Sequence, residues 1–478
     1  MTLSLFLVGC TASGETPAAT EAPRSTPSEA AEAPAAVELP AGPLGDHARW
    51  LVGQMSTDPV DDATAASARF SQTMLDQVGA DTILLRLESL RSTGPWTPVE
   101  FYGSEAEAGS EAEAGVTIQD TAGTFLDARI AVDADGLVAG LQLTPRTDPA
   151  RTAPSSWEEL DERVDELGER LGGLVDVDAV VLVSRVTDAT DPSQAPGARC
   201  EPVHSTGDVD AAMPLGSVFK LYVLAAVAEA VETGTLTWDT PLTLTDDVRS
   251  LSSGTLQDQP AGTVVTVREA AGAMIEVSDN TAADLLVATV GRDAVLATMT
   301  ATGHSDPSLN TPFLMTRDVL RLGWAVAPGG PETPAWNALS EPEQAATVAA
   351  LPGGRIGIYA DATATPVWQD GLDWFASAAD LCAVHVALQD AAGTPTGGPV
   401  REILAANPGT EIETDAWSYL AYKGGGMPGV LTDSWYAQDV DGSAVVVTVL
   451  LTSSDPATLQ STDAFDELSE AALTLAAG

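Results

Sequence analysis

Pro214-Leu215-Gly216-Ser217-Val218-Phe219-Lys220 runs directly into Leu221-Tyr222-Val223-Leu224-Ala225-Ala226-Val227-Ala228. Residues three apart share one face of a helix, so the Lys220 amine can reach the Ser217 hydroxyl. Proline and glycine just upstream are loop residues. They place Ser217 at a helix N-terminus, where free backbone N–H groups and the positive end of the dipole favour developing negative charge. The residues that follow are apolar on every side, the pattern of a fully buried helix. A lysine at the mouth of such a helix loses solvation, which pushes its pKa down from about 10.4. Lowering it by about 3, worth roughly 4 kcal/mol, makes a neutral amine able to act as a base. S-x-x-K alone is weak evidence, since a plain surface helix start can carry it by chance.

Lysine usage strengthens the reading. The chain has 21 Lys plus Arg, and only Lys220 and Lys423 are lysines. A bias that leaves lysine at two positions marks places where arginine fails, because arginine cannot be deprotonated in proteins and cannot serve as a base. Lys423 opens Lys423-Gly424-Gly425-Gly426, and Ser278-Asp279-Asn280 lies between the two lysines. S-x-x-K, S-D-N and K-x-G in this order resemble the signature set of the penicillin-recognising serine acyl-enzymes.

At 478 residues the chain is long enough for two or more domains. Its formal net charge of −48 repels phosphate backbones and anionic headgroups, which argues against nucleic-acid binding. A proteome-wide acidic, arginine-over-lysine bias explains that charge better than a specific cationic partner does. No run of eighteen apolar residues is present, so no transmembrane helix is expected. The cysteines are Cys10, Cys200 and Cys382, and His47, His204, His304 and His385 are scattered without paired Cys/His spacing. Neither a metal nor another cofactor is expected.

Leu7-Val8-Gly9-Cys10 resembles a bacterial lipobox, whose cysteine is diacylated. The apolar run before it is short and has no Lys or Arg, which suggests a start codon further upstream; the alternative is an N-terminal cysteine of no consequence. Residues 1–10 thus read as a lipoprotein-type signal and 11–43, rich in Ala, Pro, Glu, Thr and Ser, as a disordered tether. The expectation is an extracytoplasmic protein that meets the membrane through a lipid anchor only, or a secreted one. In that oxidising compartment Cys200 and Cys382 can pair if their Cα atoms are close enough, which sequence does not tell.

A first domain is expected over 44–148, with helices at Leu44–Met55 and Ala63–Val78. Strands follow at Thr82–Leu90, Pro98–Tyr102, Val116–Gln119, Thr124–Val132 and Leu137–Leu143, the last two joined by the turn Asp133-Ala134-Asp135-Gly136. Gly103–Ala114 writes Gly-Ser-Glu-Ala-Glu-Ala twice and reads as a loop at a hairpin tip. This pattern resembles the small α+β cone of the nuclear-transport-factor-2/ketosteroid-isomerase group, in architecture only. Tyr102 and the aspartates form no isomerase constellation, so a binding or packing module is expected. A helix at Trp157–Leu171 and strands at Val175–Arg185 and Arg199–Ser205 then lead into the serine helix.

From 156 to 478 the chain resembles a class A β-lactamase-like serine hydrolase. Ser252-Ser253-Gly254, Ala261-Gly262 and Ala273-Met274-Ile275 ahead of Ser278 add to the three motifs. The whole arrangement is similar to LpqF-type lipoproteins and to a β-lactamase-fold protein of the clavulanate cluster. The resemblance implies a two-domain α+β chain whose second domain is an antiparallel sheet flanked by helices plus an all-α subdomain. It implies Ser217 as the acylated nucleophile, Lys220 as its base, and Ser278 between the two lysines as the proton relay to the leaving group. Asn280 would bind the substrate's carbonyl region, Lys423 would add positive potential, and Gly425 and Gly426 would lie along the substrate. The N–H groups of Ser217 and Gly426 would form the oxyanion hole.

Position 424 is glycine where the resembled family has Thr or Ser, and Asp433–Gly442 contains no arginine to replace that hydroxyl. Binding of a substrate carboxylate is thereby in question. Thr281–Pro331 contains no glutamate, whereas class A enzymes use one to activate the deacylating water. Asp306-Pro307-Ser308-Leu309-Asn310 is the nearest text, in a loop that reads as shortened; Asp306 is either a weakened base or a plain turn residue. Gly424 to Gly429 matches G-x-G-x-x-G, but Pro428 and the strand-like text after it fit no phosphate-binding helix. Trp368, Trp374 and Phe375 either roof the site or pack in the core, and Glu276 reads as structural. The function expected is hydrolysis of a small ester, amide or β-lactam-like substrate through a Ser217 acyl-enzyme with slow deacylation. The alternative is a catalytically weak, penicillin-binding-like protein acting as a cell-envelope sensor.

Overall fold

Leu44, Ala48, Leu51 and Met55 recur at helical spacing, and the helix Pro43–Ser56 buries all four. In the computed structural model the described residues run from 37 to 477, with breaks at 57–62, 78, 81–82, 85–86, 88–89, 93, 104–111, 122–124, 147–152, 171–176, 188–194, 252, 325–335, 357–364, 410–415, 455–458 and 460–462. Cys10 and most of the expected tether lie outside them, as does most of the repeated Gly103–Ala114 segment. The chain divides into two compact units, 1–152 and 153–478.

In the first unit the opening helix packs on a four-stranded antiparallel sheet of β1 (Thr97–Gly103), β2 (Ala112–Gln119), β3 (Phe125–Val132) and β4 (Val138–Arg146), paired in chain order. Val116, Ile118, Ala128 and Ile130 face the helix side of the core. Two sequence expectations change here. The helix over Ala63–Val78 is interrupted, giving Ala63–Ser67 and Gln72–Gln77, because Phe70 between them makes a bridge to Val138. The strand expected over Thr82–Leu90 is helical at its described residues Ile83, Leu84 and Leu87. Thr82 and Ile83 have strand-type side chains, but Ile83 and Leu87 are four apart and both buried, and that helical spacing wins.

The second unit is built on a five-stranded antiparallel sheet. Its members are β5 (Val177–Val186), β6 (Cys200–Thr206), β7 (Tyr419–Met427), β8 (Val430–Gln438) and β9 (Ala444–Ser453), ordered β7-β8-β9-β5-β6. Alternation along β5 sends Val181 and Val183 to one face, against helices Trp157–Arg170 and Asp463–Ala476. Val180 and Leu182 face the other side and join a large core with the remaining helices. The helix Lys220–Glu232 runs through that core, with Leu221, Tyr222, Val223, Leu224 and Val227 fully buried. Cys200 at the start of β6 is disulfide-bonded to Cys382 of the helix Ala378–Ala392, with Cα atoms 6.2 Å apart.

The loop after Asp306 is short: the turn Pro307–Asn310 is followed at Thr316 by a helix. Beyond Asn310 the chain makes an excursion that includes helices Thr316–Trp324 and Glu341–Ala350, then returns to Phe375. Asn310 clasps the return point, its Oδ1 accepting the Phe375 N–H and its Nδ2 donating to the Phe375 carbonyl, both at 2.9 Å. Phe375-Ala376 then pairs with Met213-Pro214, immediately ahead of Ser217.

Candidate active site

The Ser217 segment is a tight 3₁₀ turn, Gly216–Phe219, leading into the buried helix. Gly216 takes the left-handed φ of 49° that lets the chain turn sharply there. The turn is held from two directions. Asp373 Oδ1 accepts the N–H groups of Gly216 at 3.0 Å and of Trp374 at 2.7 Å, and Thr432 Oγ1 donates to the Leu215 carbonyl at 2.7 Å. Trp374 is buried and stacks on Phe219 with ring centroids 3.6 Å apart, so this aromatic packs under the turn. Ser217 itself stays half-buried and open to a reactant.

Lys220 is fully buried, and its Nζ has four oxygen neighbours: Ser217 Oγ at 3.2 Å, Ser278 Oγ at 3.0 Å, the Ser278 carbonyl at 2.6 Å and Asn280 Oδ1 at 2.7 Å. Burial, reinforced by the positive charge of Lys423, holds the Lys220 amine well below the ordinary lysine pKa, against opposing pulls from Asp284 and Asp279. Two of the four neighbours, a carbonyl and an amide oxygen, can only accept. A neutral amine has two N–H groups to give them, which leaves its lone pair on the side of the two serine hydroxyls. That is the disposition of a base for Ser217.

Ser278 has φ 55°, the one non-glycine residue with positive φ among those described. Such a backbone costs of order 1–3 kcal/mol and persists only when its surroundings fix it. Asp279 does the fixing: fully buried, it accepts from Thr255 N at 2.7 Å, Leu256 N at 2.8 Å and Ala282 N at 2.8 Å. Gly254 leaves room for it, since a Cβ there would lie 2.1 Å from Asp279 Cγ. Asn280 Nδ2 donates to the Leu251 carbonyl at 2.9 Å, so its side chain bridges this loop and Lys220.

The edge strand β7 closes the cluster. A Cβ on Gly425 would stand 2.4 Å from the Leu215 carbonyl and 2.7 Å from Ser217 N, so only glycine lets the strand lie flush on the Ser217 turn. The neighbouring Gly426 is exposed, and its N lies 3.0 Å from where a Gly216 Cβ would be. Lys423 is 3% exposed and donates to the Gly424 carbonyl at 2.7 Å. Burial lowers its pKa to about 8, with Asp433 pulling the other way. The described contacts of Ser278 thus run to Lys220, and Lys423 acts on the pair through its charge.

Asp306 is placed elsewhere. It is exposed and caps the turn Pro307–Asn310, with Oδ1 accepting Ser308 N at 3.1 Å. Among the described contacts none joins it to Ser217, Lys220 or Ser278; the geometry is that of a turn residue. Asp373 and Thr432 carried no signal in the sequence, because 157 and 217 residues separate them from the backbone they hold.

A Ser–Lys pair at a buried helix mouth, crossed by a strained S-D-N loop and flanked by the glycine edge of an antiparallel sheet, defines the class of β-lactamase-like serine hydrolases. Residues 207–475, more than half of the chain, match the Beta-lactamase enzyme family, and the chain belongs to it. Residues 39–138 match the family described as ORF 12 gene product N-terminal. No curated protein matches. Similar solved structures include the β-lactamase from Sphaerobacter thermophilus DSM 20745, 19% identical over 67% of this chain and 97% of that one, with a TM-score of 0.45. PBP-A is 15% identical over 68% of this chain and 98% of its own, with a TM-score of 0.41. The class A β-lactamase of the last common ancestor of Gram-negative bacteria is 20% identical over 66% and 96%, with a TM-score of 0.42.

Proposed function

We propose that this chain hydrolyses a small ester, amide or β-lactam-like substrate through an acyl-enzyme on Ser217. The observation that carries this is the fully buried Lys220 Nζ, 3.2 Å from Ser217 Oγ, with its two N–H groups matched by two obligate acceptors. The substrate carbonyl sits between Ser217 N and Gly426 N, whose loss typically costs about 2.7–4 kcal/mol per donor in the transition state. Lys220 takes the Ser217 proton as Oγ attacks, and Ser278 Oγ, 3.0 Å from the amine, hands a proton to the leaving group.

Deacylation is slow in this reading, because the Asp306 carboxylate is held in its own turn. The same observation favours the second reading, a cell-envelope protein that acylates once and senses. Both are separated by intact-mass spectrometry after exposure to a panel of esters and β-lactams. Turnover with transient adduct supports the hydrolase, a lasting single adduct supports the sensor, and an adduct mapped away from Ser217 or retained in Ser217→Ala rejects both. The protein is further proposed to be exported and lipid-anchored at Cys10, a location in which the Cys200–Cys382 disulfide persists. Cys10→Ser then moves it from the membrane fraction to the medium, and retention would reject the anchor. The unit at 1–152 is proposed as a cone-type binding or packing module.

A further inference from the structure

We propose that Thr316 and Ser250 are positioning residues for acyl transfer: their buried hydroxyl contact, anchored on Asp284, fixes the loop that orients Asn280 against Lys220. The inference rests on the acyl-enzyme reading above and deepens it by tying the excursion to the base. Lys220 Nζ lies 2.7 Å from Asn280 Oδ1, and Asn280 Nδ2 donates to the Leu251 carbonyl at 2.9 Å. That carbonyl decides which end of the amide meets the amine. Held in place, it takes the NH₂ end and leaves the oxygen for Lys220. One N–H of the neutral amine is then claimed, and the lone pair stays on the side of Ser217. If the carbonyl moves, the amide can turn its NH₂ toward Lys220, donor against donor, and draw the lone pair away.

What holds Leu251 is the residue before it. The Ser250 N–H donates to Thr281 Oγ1 at 3.0 Å, and Ser250 Oγ lies 2.7 Å from Thr316 Oγ1, on the first residue of the helix Thr316–Trp324. Thr316 Oγ1 is in turn 2.9 Å from Asp284 Oδ1. The same carboxylate accepts the Thr316 N–H at 2.7 Å and the Arg317 N–H at 2.9 Å. Asp284 stands one turn beyond Asn280 on the helix Asn280–Val290, so the two lie on one face. Thr316 Oγ1 also comes within 3.3 Å of the Asn280 carbonyl. Ser250, Thr281, Asp284 and Thr316 are no more than 4% exposed, so water does not compete for these contacts. An unbroken series thus runs from the excursion through Ser250 and the Leu251 carbonyl to the Asn280 amide and Lys220. Burial and the Lys423 charge disfavour the Lys220 ammonium, and Asp284 is the first of the acids that oppose them.

The test compares Thr316→Val, which keeps the shape and removes the hydroxyl, with Thr316→Ser, which keeps the hydroxyl and removes a methyl. The probe is an aryl ester of phenylacetylglycine. The Ser217 Oγ–acyl bond forms, the acyl–aryloxide bond breaks and the phenol leaves with the serine proton, carried by Lys220. In Thr316→Val the maximal rate of phenol release should fall about tenfold or more, with the half-saturating concentration within about twofold of wild type. Thr316→Ser should recover most of the rate. If the valine variant does not fold, Ser250→Ala breaks the same contact from the other side and should show the same loss. A wild-type rate in the folded valine or alanine variant overturns the proposal, as do equal losses in Thr316→Val and Thr316→Ser. A fluorophosphonate, whose P–F bond is replaced by a bond to Ser217 Oγ as fluoride leaves, keeps the two readings apart. If it fails to label Ser217 in wild type, the acyl-enzyme reading fails and this inference with it. If it labels wild type and Thr316→Val equally fast, this inference alone is overturned.

Discussion

The Asp373 carboxylate accepts the Gly216 N–H at 3.0 Å, one residue ahead of Ser217, although the two are 157 positions apart in the chain. Through this bond the end of the long excursion fixes the turn that aims Ser217 at Lys220. Asp373 is a positioning residue, and its removal should be felt as misplacement. Asp373→Ala is expected to slow acylation about 10²-fold, the usual effect of displacing a reacting group by about 1 Å, with the loss in kcat and little in KM. Asp373→Asn, which keeps an acceptor for Gly216, should recover most of the rate. Equal losses in both variants would reject the role.

The same residue makes a prediction about acid. Burial raises the Asp373 pKa to about 7, while the unfolded chain ionises near the ordinary 3.9. Between those values the folded state holds a proton that the unfolded state has lost, so this group's contribution is full below about pH 4 and disappears as pH rises through 7. Asp284 and Asp433, also raised to about 7, act in the same sense. His385, buried and pushed down to about 3, acts in the opposite one, losing stability as pH falls below about 6.5. Urea unfolding of wild type and Asp373→Asn at pH 5 and 7.5 isolates the aspartate's part. The variant should lose less stability over that rise, and identical slopes would refute the assignment.

Lys220→Arg should lower acylation of Ser217 by about 10²–10⁴-fold, because a guanidinium stays protonated and cannot accept the serine proton. In wild type the acylation rate should fall as pH drops through the depressed Lys220 pKa, since the amine is the active form. Stopped-flow release of the phenol reads both effects. A flat profile with full activity in Lys220→Arg would remove Lys220 from the reaction.

Adjacent glycines of the edge strand should behave very differently. Gly425→Ala places a methyl 2.4 Å from the Leu215 carbonyl and 2.7 Å from Ser217 N, so strand and turn must separate. A loss of at least about 10²-fold in acylation is expected. A methyl at Gly426 finds its nearest neighbours at 3.9 Å and should be tolerated within about threefold. Comparable losses at the two sites would show that the close approach of β7 does not matter.

The disulfide should be a stability element. Cys200→Ser and Cys382→Ser are each expected to lower the unfolding free energy by about 2–4 kcal/mol, and reductant should do the same to wild type. Because both variants break one bond, the double variant should lose little more than the larger single. Additive losses in denaturant titrations would mean that each cysteine acts by its own packing.

Local geometry decided what could be read in advance. Ser217 and Lys220 are one helical turn apart, so their meeting follows from spacing alone, and Val177–Val186 shows its buried character in its composition. Ser278 joins them across 58 residues, legible only because S-D-N is a motif with a known companion. Asp373, Thr432 and the Asn310 clasp have no such text; a carboxylate that reaches a backbone amide from far along the chain leaves no period or spacing behind. Gly424 is instructive in another way. Its missing hydroxyl was plain, but the reason lies in Tyr422 lying over it, a side-chain placement no alternation pattern contains. Thr82–Leu90 misled because β-branched residues head a stretch whose apolar spacing is helical.

Lys220 and Lys423 are the only lysine side chains in the chain, and the fold buries both. A lysine-specific endoprotease therefore has no internal substrate in the native state except at these two bonds, and neither can enter a protease cleft until the second unit opens. The protein carries its own unfolding gauge: intact mass under protease reports the folded fraction, and fragments ending at Lys220 and Lys423 report the opened one. An inhibitor acylating Ser217 beside Lys220 should then register as slower fragmentation, with no chromophore and no knowledge of the natural substrate.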